Sequence, residues 1–483
     1  MQHIKNTAKI SEVGKYTSDS DTLFKTFESI IGQFKLAKVN ALLNQSKSKG
    51  IEGEHIFKVL FALTFIDLKN VSQFMLSGYG THLRYGKDVL YEFLKNEWVD
   101  WQKILTIFAK RFLHIVRIKG DATDLCGPKC LIIDDTILDK TGKTIEKIGH
   151  VFDHCSHSFH LGMKVLVCGF WDGKSIVPVT FSVHNEPGKE GSGGLRKKDL
   201  ARQFHKERHP DSPGFQRISQ LTTDKINMAV QMIKSAVSKG FDADYVLADS
   251  WYICDTFLCQ IQNISSRFKK KLHVIGLMKI NRRVNINGKL LIASLIPERM
   301  RKQIRVCKEF KCRYVSLPIT YKGTPAKAFW VKMDGSDTWK LLISTDLGLR
   351  FLKAMRYYQI RWSIEVFFKE CKQNLNLNRC QSTDFDAHVA HITLSFLGYL
   401  IVSLRKRFDD YETLGAIFRE MKNELLEKNI VEKIWQIMTE VYEKIIAGFG
   451  IDWECFLNKL VEQEIHVEKF AQIQLAFLKH PNK

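Results

Sequence analysis

The chain has 483 residues, 45% of them hydrophobic, and 73 Lys and Arg against 52 Asp and Glu give it a formal net charge of +21. This length and apolar content predict an ordered globular protein of two to four domains and exclude a disordered polyelectrolyte. Because so large a positive charge opposes compaction unless a polyanion compensates it, we expect a nucleic-acid partner; a basic enzyme that binds no nucleic acid is the alternative.

The cysteines and the apolar segments indicate the compartment. The 11 cysteines are an odd number, and the N-terminus has no apolar core of signal-peptide length, so we expect reduced thiols rather than a disulfide framework. The most apolar segment, residues 392–404, is too short to span a bilayer. The sequence therefore predicts a soluble cytoplasmic protein with no membrane partner.

The first quarter of the chain has helical periodicity. Apolar residues recur at helical spacing in residues 23–43, 55–68 and 89–116. A helical domain of this kind is suited to binding DNA ends, and a purely structural role is the alternative.

Near Cys126 the pattern changes to that of strands. The run CLIIDDTIL at residues 130–138, the run at 159–170 and IVPVTFSVH at 176–184 are three candidate strands. The last two are separated by an Asp-Gly turn signal at Asp172. Consecutive strands with short connections predict an antiparallel meander.

Residues 187–214 are rich in glycine, lysine and arginine. We predict a mobile basic arm whose cations, among them Lys206 and Arg208, contact DNA phosphates; a solvated loop is the alternative. The next helix is predicted over residues 222–239, with Thr222 or Thr223 as its cap.

The strand that follows this helix ends in an acid. It has the sequence YVLADSWY, residues 245–252, and its apolar run stops at Asp249. Open α/β sheets place their ligands at the carboxyl ends of strands, so this strand would bring a carboxylate to a site. A helix at 252–263 and a strand at 273–280 come next, and residues 281–345 read as a basic, β-rich insertion.

A polar stripe marks the segment YQIRWSIEVFFKECK, residues 358–372. On a helix, Tyr358, Arg361, Glu365 and Lys372 share one side and the apolar residues share the other. Glu365 would then lie at the edge of a buried surface. The alternative is an amphipathic helix whose charges are simply solvated.

Three acids stand apart from the other carboxylates of the sequence. Asp134 interrupts an apolar strand, Asp249 ends another, and Glu365 lies on the polar margin of the helix. Three carboxylates around one crevice would offer oxygen ligands to Mg²⁺ or Mn²⁺, and two such ions can cleave or join phosphodiesters. Arg361 and Lys372 would hold neighbouring phosphates, and Tyr358 would donate its hydroxyl.

The order of these motifs resembles that of the DDE transposases of bacterial insertion sequences, specifically the IS-four family. The similarity rests on IDDT, LADSWY, the β insertion, and the spacing Y-x2-R-x3-E-x6-K of Tyr358, Arg361, Glu365 and Lys372. It extends over about residues 80–400.

The resemblance implies an α/β fold: an RNase H-like mixed sheet flanked by helices and interrupted by the β-rich insertion, with helical N- and C-terminal regions. The implied boundaries are 1–125 for the N-terminal region, 126–280 for the first part of the catalytic core, 281–345 for the insertion, 346–404 for the rest of the core and 405–483 for the C-terminal region.

The resemblance also implies cut-and-paste transposition. Water would free a 3′-hydroxyl at the end of the element, this hydroxyl could form a hairpin, and the reopened end would join target DNA. The implied metal ligands are Asp134, Asp249 and Glu365, holding two ions, and the implied phosphate-binding residues are Tyr358, Arg361 and Lys372.

The implied partners are double-stranded DNA, as terminal inverted repeats and as target, and a second copy of the chain. The copies would assemble on DNA through the C-terminal region, and the protein would be bacterial, cytoplasmic and nucleoid-associated. The alternatives are a metal-dependent nuclease on the same scaffold without strand transfer and a catalytically idle DNA-binding protein.

Two points stay open in the sequence. Asp134 and Asp135 are adjacent on one strand, and only one can face the site because side chains alternate; position directly after the apolar run favours Asp134. The resemblance also implies a tryptophan of the insertion that supports a flipped base, and either Trp330 or Trp339 would serve.

A cluster of histidines provides a competing signal. Its members, which together resemble zinc ligands, are His150, Asp153, His154, Cys155, His157 and His160. No second ligand group at zinc-site spacing accompanies them, so we do not expect zinc.

Overall fold

The computed structural model describes residues 34, 37–45, 49–65, 70–76, 83–120, 127–153, 156–186 and 193–408. The chain divides into two compact units. One comprises Met1–Ile31, Ser72–Tyr85 and Arg419–Lys483, most of which lies outside the described residues. The other, Gly32–Val71 and Gly86–Phe418, contains the sheet and every site discussed below. Most of the helix predicted at 23–43, and the C-terminal region after residue 408, lie outside the described residues.

The second unit is built on one mixed sheet of 12 strands. The strands are β1 (Cys130–Asp139), β2 (Gly149–Asp153), β3 (Ser158–Trp171), β4 (Ile176–His184), β5 (Tyr245–Ala248), β6 (His273–Met278), β7 (Arg283–Ile286), β8 (Lys289–Ile292), β9 (Arg305–Cys307), β10 (Cys312–Tyr321), β11 (Thr324–Met333) and β12 (Lys340–Ser344). Their order is β2-β3-β1-β5-β6-β12-β11-β10-β7-β8, with β4 paired to β3 and β9 to β10.

Helices flank this sheet. They are α1 (Ala37–Leu43), α2 (Gly53–Ala62), α3 (Val71–Leu76), α4 (Lys87–Leu94), α5 (Trp101–Ile118), α6 (Lys197–Leu200), α7 (Pro213–Gln220), α8 (Lys225–Ser238), α9 (Asp255–Phe268), α10 (Ile296–Arg299), α11 (Phe351–Gln359), α12 (Trp362–Asn374) and α13 (Phe385–Phe408). The predicted α/β class, a mixed sheet flanked by helices, is confirmed.

The centre of the sheet follows from the apolar runs of the sequence. The first four residues of β1, Cys130–Ile133, are all buried, as are Val246–Ala248 of β5. β1 pairs antiparallel with β3 and parallel with β5, so it is covered along both edges. The predicted meander is present in β1, β3 and β4, and β2 is an additional strand that the sequence analysis missed.

The β-rich insertion continues the central sheet. Its last strand, β12, pairs antiparallel with β6, and Leu341 lies opposite Met278 in the register. Trp330 of β11 is fully buried, and its indole N–H donates to the carbonyl of Ala293 at 2.8 Å. The insertion is therefore attached to the half of the sheet that contains β1, β5 and β6 by strand pairing as well as by the chain.

Three predicted helices differ in detail from the observed ones. The run at 89–116 is two helices, α4 and α5, because Asp100 caps α5 by accepting from the backbone N–H of Lys103 at 3.0 Å. The cap of α8 is Asp224 and not Thr222 or Thr223. A carboxylate at this position accepts from two free N–H groups of the first turn, which is why it serves as the cap.

The segment 358–372 also consists of two helices. Tyr358 belongs to α11, and Arg361 directly precedes α12. Between them the backbone tightens to bonds three residues apart, from the N–H of Ile360 to the carbonyl of Tyr357 and from that of Arg361 to Tyr358. The polar stripe therefore crosses a helix junction, with Tyr358 on α11 and with Glu365 and Lys372 on α12.

One described helix, α13, is long and apolar enough to cross a bilayer. Most of it, 94% of the apolar window, is buried inside the protein. This helix is longer than the apolar segment 392–404 noted in the sequence, and it is buried as a core helix is.

Candidate active site

Asp134 and Asp249 lie side by side on neighbouring parallel strands. The register pairs Ile133 of β1 with Ala248 of β5, and each aspartate is the next residue. Neighbouring strands are about 4.8 Å apart, and residues at matched positions point to the same face of a sheet. The two carboxylates are therefore brought together, with Asp249 just past the carboxyl end of β5 and Asp134 in the middle of β1.

Glu365 joins this pair through Arg361. The guanidinium of Arg361 donates to Asp134 Oδ2 at 2.8 Å through Nη1 and to Glu365 Oε1 at 2.5 Å through Nη2. All three side chains are partly buried, with 15% of Arg361, 16% of Asp134 and 34% of Glu365 exposed. Arg361 thus forms a bridge between the strand acid and the helix acid.

The two adjacent aspartates of β1 face opposite sides. Asp134 faces Arg361 and α12, whereas Asp135 accepts from the hydroxyl of Tyr252 at 3.0 Å and pairs with the ammonium of Lys225. Asp134 is therefore the member of the pair that lies with Glu365.

Burial and like charges change the acidity of the site. Burial, which is the largest cause, and the charges of Asp135 and Asp249 together raise the pKa of Asp134 to about 7, although Arg361 acts to lower it. Burial and the charges of Asp249 and Asp134 raise the pKa of Tyr358 to about 12, against a lowering effect of Arg361. The hydroxyl of Tyr358 is consequently a donor throughout the physiological range.

Lys372 lies farther along the same helix. It is roughly 10 Å beyond Glu365 along the axis of α12. Burial lowers the pKa of Lys372, while Asp139 at the end of β1 and Asp153 of β2 act in the opposite sense. The structure therefore brings Tyr358, Arg361 and Glu365 to the two aspartates and places Lys372 beside a different pair of acids.

The carboxylates have the chemistry of a divalent-cation site but not its closed geometry. Among the residues that the structure describes, no group of three His, Cys, Asp or Glu side chains is arranged to hold a metal. The arginine bridge explains this, because Arg361 lies between Asp134 and Glu365. A buried carboxyl with the carboxylates of Asp135 and Asp249 nearby still fits a hard cation with oxygen ligands.

The basic arm has a different role from the one that the sequence predicts. Residues 187–192 lie outside the described part, but Lys206 and Arg208 are bound in a buried ion network with Glu146 and Asp386. The side chain of Arg208 is 3% exposed. The prediction of phosphate contact is wrong for these two cations, whereas Arg196, Lys197, Lys198 and Arg202 of the same segment are exposed.

The histidine cluster is divided by the strands that carry it. His154 and Cys155 lie outside the described residues. His160 Nδ1 is 2.9 Å from Asp139 Oδ1, and its Nε2 is 3.0 Å from the hydroxyl of Ser158. His150 is instead 3.0 Å from the carbonyl of Gly193.

The sequence analysis missed two features beside the site. Lys225 and Tyr252 hold Asp135; the signal was the pair of aromatic residues, Trp251 and Tyr252, that follows the LADS segment. Trp362 follows Arg361 and is 61% exposed, which leaves a large aromatic face open to solvent. Trp330 is fully buried in the core, and Trp339 is half-buried.

Two protein families match this chain. The family described as "Transposase DDE domain" matches residues 218–401, and that described as "DDE superfamily endonuclease" matches residues 69–293. Both matches support a DDE transposase. No curated protein matches the chain.

The matches and the sheet together indicate the fold, and the matches support a general activity. The endonuclease match includes β1 and β5, the transposase match includes β5 and α12, and both include Asp249. The chain has an RNase H-like α/β fold, and its domains support DNA cleavage of the transposase type, with DNA as the partner.

Proposed function

We propose that the chain is a transposase of the IS-four family that cleaves DNA at the ends of an insertion sequence and joins those ends to target DNA. The observation that carries this proposal is the meeting of Asp134, Asp249 and Glu365 at one edge of the sheet, with Arg361 between them. An acid-rich edge beside phosphate-binding cations is suited to phosphodiester chemistry.

Asp134, Asp249 and Glu365 would hold Mg²⁺ or Mn²⁺. Two such ions, when bound, would supply activation of a water or a 3′-hydroxyl and stabilisation of the leaving oxygen. Arg361 neutralises two of these carboxylates in the free protein. A DNA phosphate would offer Arg361 another bidentate partner and so expose the acids.

The remaining residues of the stripe would position DNA. Tyr358 would donate its hydroxyl to a phosphate, and Lys372 would neutralise a phosphate farther along the backbone. Trp362, exposed next to Arg361, would be available to stack on a base at the cleaved end.

A groove of the insertion would extend the contact with DNA. It is lined by Arg282, Arg283 and Lys322, together with polar residues of the β10–β11 turn. Lys322 pairs with Asp255 at 3.3 Å, whereas neither arginine is paired with a carboxylate among the described residues. Two exposed guanidinium groups in one groove would bind phosphates and release counterions.

Transposition requires two ends of the element to be held together. We therefore propose a homodimer assembled on the terminal inverted repeats, with the C-terminal region 405–483 as the pairing surface. Residues 409–483 lie outside the described part of the chain.

The deciding experiment incubates the full-length protein with Mg²⁺ and the DNA that flanks its own gene, and then maps the 3′ ends. Strand transfer should yield products joined to target DNA at the mapped ends. Cleavage without joined products would instead favour a nuclease, and retained binding without cleavage would favour an idle DNA-binding protein. A hairpin at the element end would appear as a terminus resistant to end labelling.

Substitutions connect this activity to the site. Asp134→Asn and Glu365→Gln should each lower cleavage by about 100-fold or more while DNA binding survives. Glu370→Gln is the matched control, since Glu370 lies on the same helix and contacts only Asn374 among the hydrogen bonds of its side chain in the described structure. Full cleavage by Glu365→Gln would refute the assignment.

A further inference from the structure

Asp135 is the centre of a contact group on the face of β1 opposite to Asp134. It accepts from the hydroxyl of Tyr252 at 3.0 Å and pairs with the ammonium of Lys225. The group is nearly closed to solvent: 1% of Tyr252 is exposed, as are 9% of the Lys225 side chain and 16% of that of Asp135. We call Asp135, Lys225 and Tyr252 the brace.

The brace is continuous with the turn that carries Asp249. The carboxylate of Asp249 accepts from the backbone N–H of Trp251 at 2.7 Å, and its carbonyl accepts from that of Tyr252 at 3.3 Å. The indole of Trp251 covers the ammonium of Lys225, with its centroid 4.5 Å from Nζ. Asp249 and Tyr252 are thus two ends of one tight turn.

The pairing of strands alone leaves Asp249 weakly fixed. β5 has 4 residues, and its last ladder partner to β1 is Ala248, one residue before Asp249. The turn beyond this point is connected to β1 by the bond from Tyr252 to Asp135. A misplacement of about 1 Å at a reacting centre can lower the rate by about 100-fold. The bond from Tyr252 to Asp135 is therefore expected to affect catalysis.

The negative charge of Asp135 is electrostatically unfavourable beside the acids of the site, so a role for this charge has to be identified. Asp135 lies next to Asp134 in sequence, and two adjacent carboxylates repel each other. Lys225 compensates this charge on the opposite face of the sheet. A neutral residue would avoid the cost but could not pair with a buried ammonium.

We propose that Asp135 is a positioning residue that, through Tyr252, fixes the turn bearing Asp249 relative to Asp134. This inference rests on the proposed function, because it concerns how the acids are held for a cation. It gives the adjacent acids of β1 separate roles: one faces the site, and the other holds the second strand's acid in place.

The test removes a single hydroxyl. Tyr252→Phe keeps the buried ring and deletes only the bond to Asp135. Tyr245→Phe is the matched control, because Tyr245 begins the same strand and its hydroxyl donates to Asp346 at 2.8 Å. Mn²⁺ binding to the protein in complex with DNA of an element end is measured by calorimetry against the same DNA alone, and cleavage kinetics and the unfolding temperature are measured in parallel.

We expect Tyr252→Phe to weaken Mn²⁺ binding by about 10- to 100-fold, as loss of a group that orients a metal ligand does. Its kcat for cleavage should fall with an unchanged KM for DNA. Tyr245→Phe should lower the unfolding temperature to a similar degree and leave Mn²⁺ binding as in the wild type. Asp135→Asn, which retains an acceptor for Tyr252, should bind Mn²⁺ better than Asp135→Ala.

Two failures are distinguishable. Wild-type Mn²⁺ affinity and kcat in Tyr252→Phe would overturn the positioning role even if Asp135→Ala does not fold. If the wild type binds no Mn²⁺, or if Asp134→Asn binds it as well as the wild type, the proposed function is wrong and not only the brace.

Discussion

The described part of the chain contains two clusters of three buried or half-buried acids, and they differ in the number of cations that accompany them. In the first, Glu146, Asp384 and Asp386 are matched by Lys206, Arg208 and Arg217. In the second, which comprises Asp134, Asp249 and Glu365, Arg361 pairs with Asp134 and Glu365. The first cluster is balanced within the protein, whereas the second has an excess of negative charge.

The acidity of one carboxyl in each cluster shows the consequence. Burial alone would raise the pKa of Asp386, but Arg217, Arg208 and Lys206 hold it below its usual value. Burial, together with the charges of Asp135 and Asp249, raises the pKa of Asp134 to about 7 although Arg361 acts to lower it. The acids of the balanced cluster are compensated within the protein, whereas those of the unbalanced cluster are available for a ligand cation.

The largest expected effect is on the balanced cluster. Asp386→Ala leaves three buried or half-buried cations facing two acids, so it should lower the free energy of unfolding by about 3–5 kcal/mol. Denaturant unfolding measures this. Glu309→Ala, which removes one member of an exposed pair with Arg356, is the control and should change stability little. Equal loss in the two variants would contradict the comparison.

The unbalanced cluster should respond in the opposite direction. At pH 8 Asp134 is ionised although the fold raises its pKa, and this ionisation lowers the free energy of unfolding. Asp134→Asn should therefore raise the free energy of unfolding of the metal-free protein by roughly 1–3 kcal/mol.

The stability gain of Asp134→Asn should also depend on pH. The folded-state pKa of about 7 lies above the unfolded value of 3.8, so the wild type loses stability as pH rises between these values. The advantage of the Asn variant should therefore vanish near pH 4. A variant less stable than the wild type at pH 8 would show that Asp134 is well compensated.

His388, two residues after Asp386 in the chain, makes the stability of this region depend on pH in the acid range. Burial lowers the pKa of His388 to about 3 from 6.5, with Lys140 acting in the same sense, and its Nε2 lies 2.8 Å from the carbonyl of Ser382. Because the unfolded chain binds the proton more readily, stability should fall by up to about 1.4 kcal/mol per pH unit below pH 6.5. His388→Gln should have a shallower profile in acid unfolding; an identical slope would contradict this.

The smallest effect concerns the groove of the insertion. Replacing Arg282 and Arg283 together by Ala should weaken DNA binding by about tenfold and reduce the salt slope of log K by about 2. Arg299→Ala with Arg301→Ala is the matched pair outside the groove. The proposal for the groove fails if the two double variants have the same affinity and salt slope.

Local patterns predicted most of the elements that carry the site. The apolar runs predicted β1 and β5, with Asp134 and Asp249 each directly after an apolar run, since strand formation and side-chain alternation depend on neighbours in sequence. The helix junction at Ile360 was not predicted, because its bonds are only one residue shorter in span than those of a helix.

Charges were harder to interpret than strands. Lys206 and Arg208 had the sequence pattern of a solvated basic arm, yet their partners Glu146 and Asp386 lie far away in the chain. The burial of a cation depends on long-range partners, which no local pattern encodes.

The sequence by itself determined the class of fold, the order of the three acids and the fact that Asp134 and Asp135 face opposite sides of a strand. Tertiary structure alone decided which face α12 covers and which acid meets Arg361. The reason is physical: alternation follows from the geometry of one strand, whereas the identity of each face follows from what packs against it.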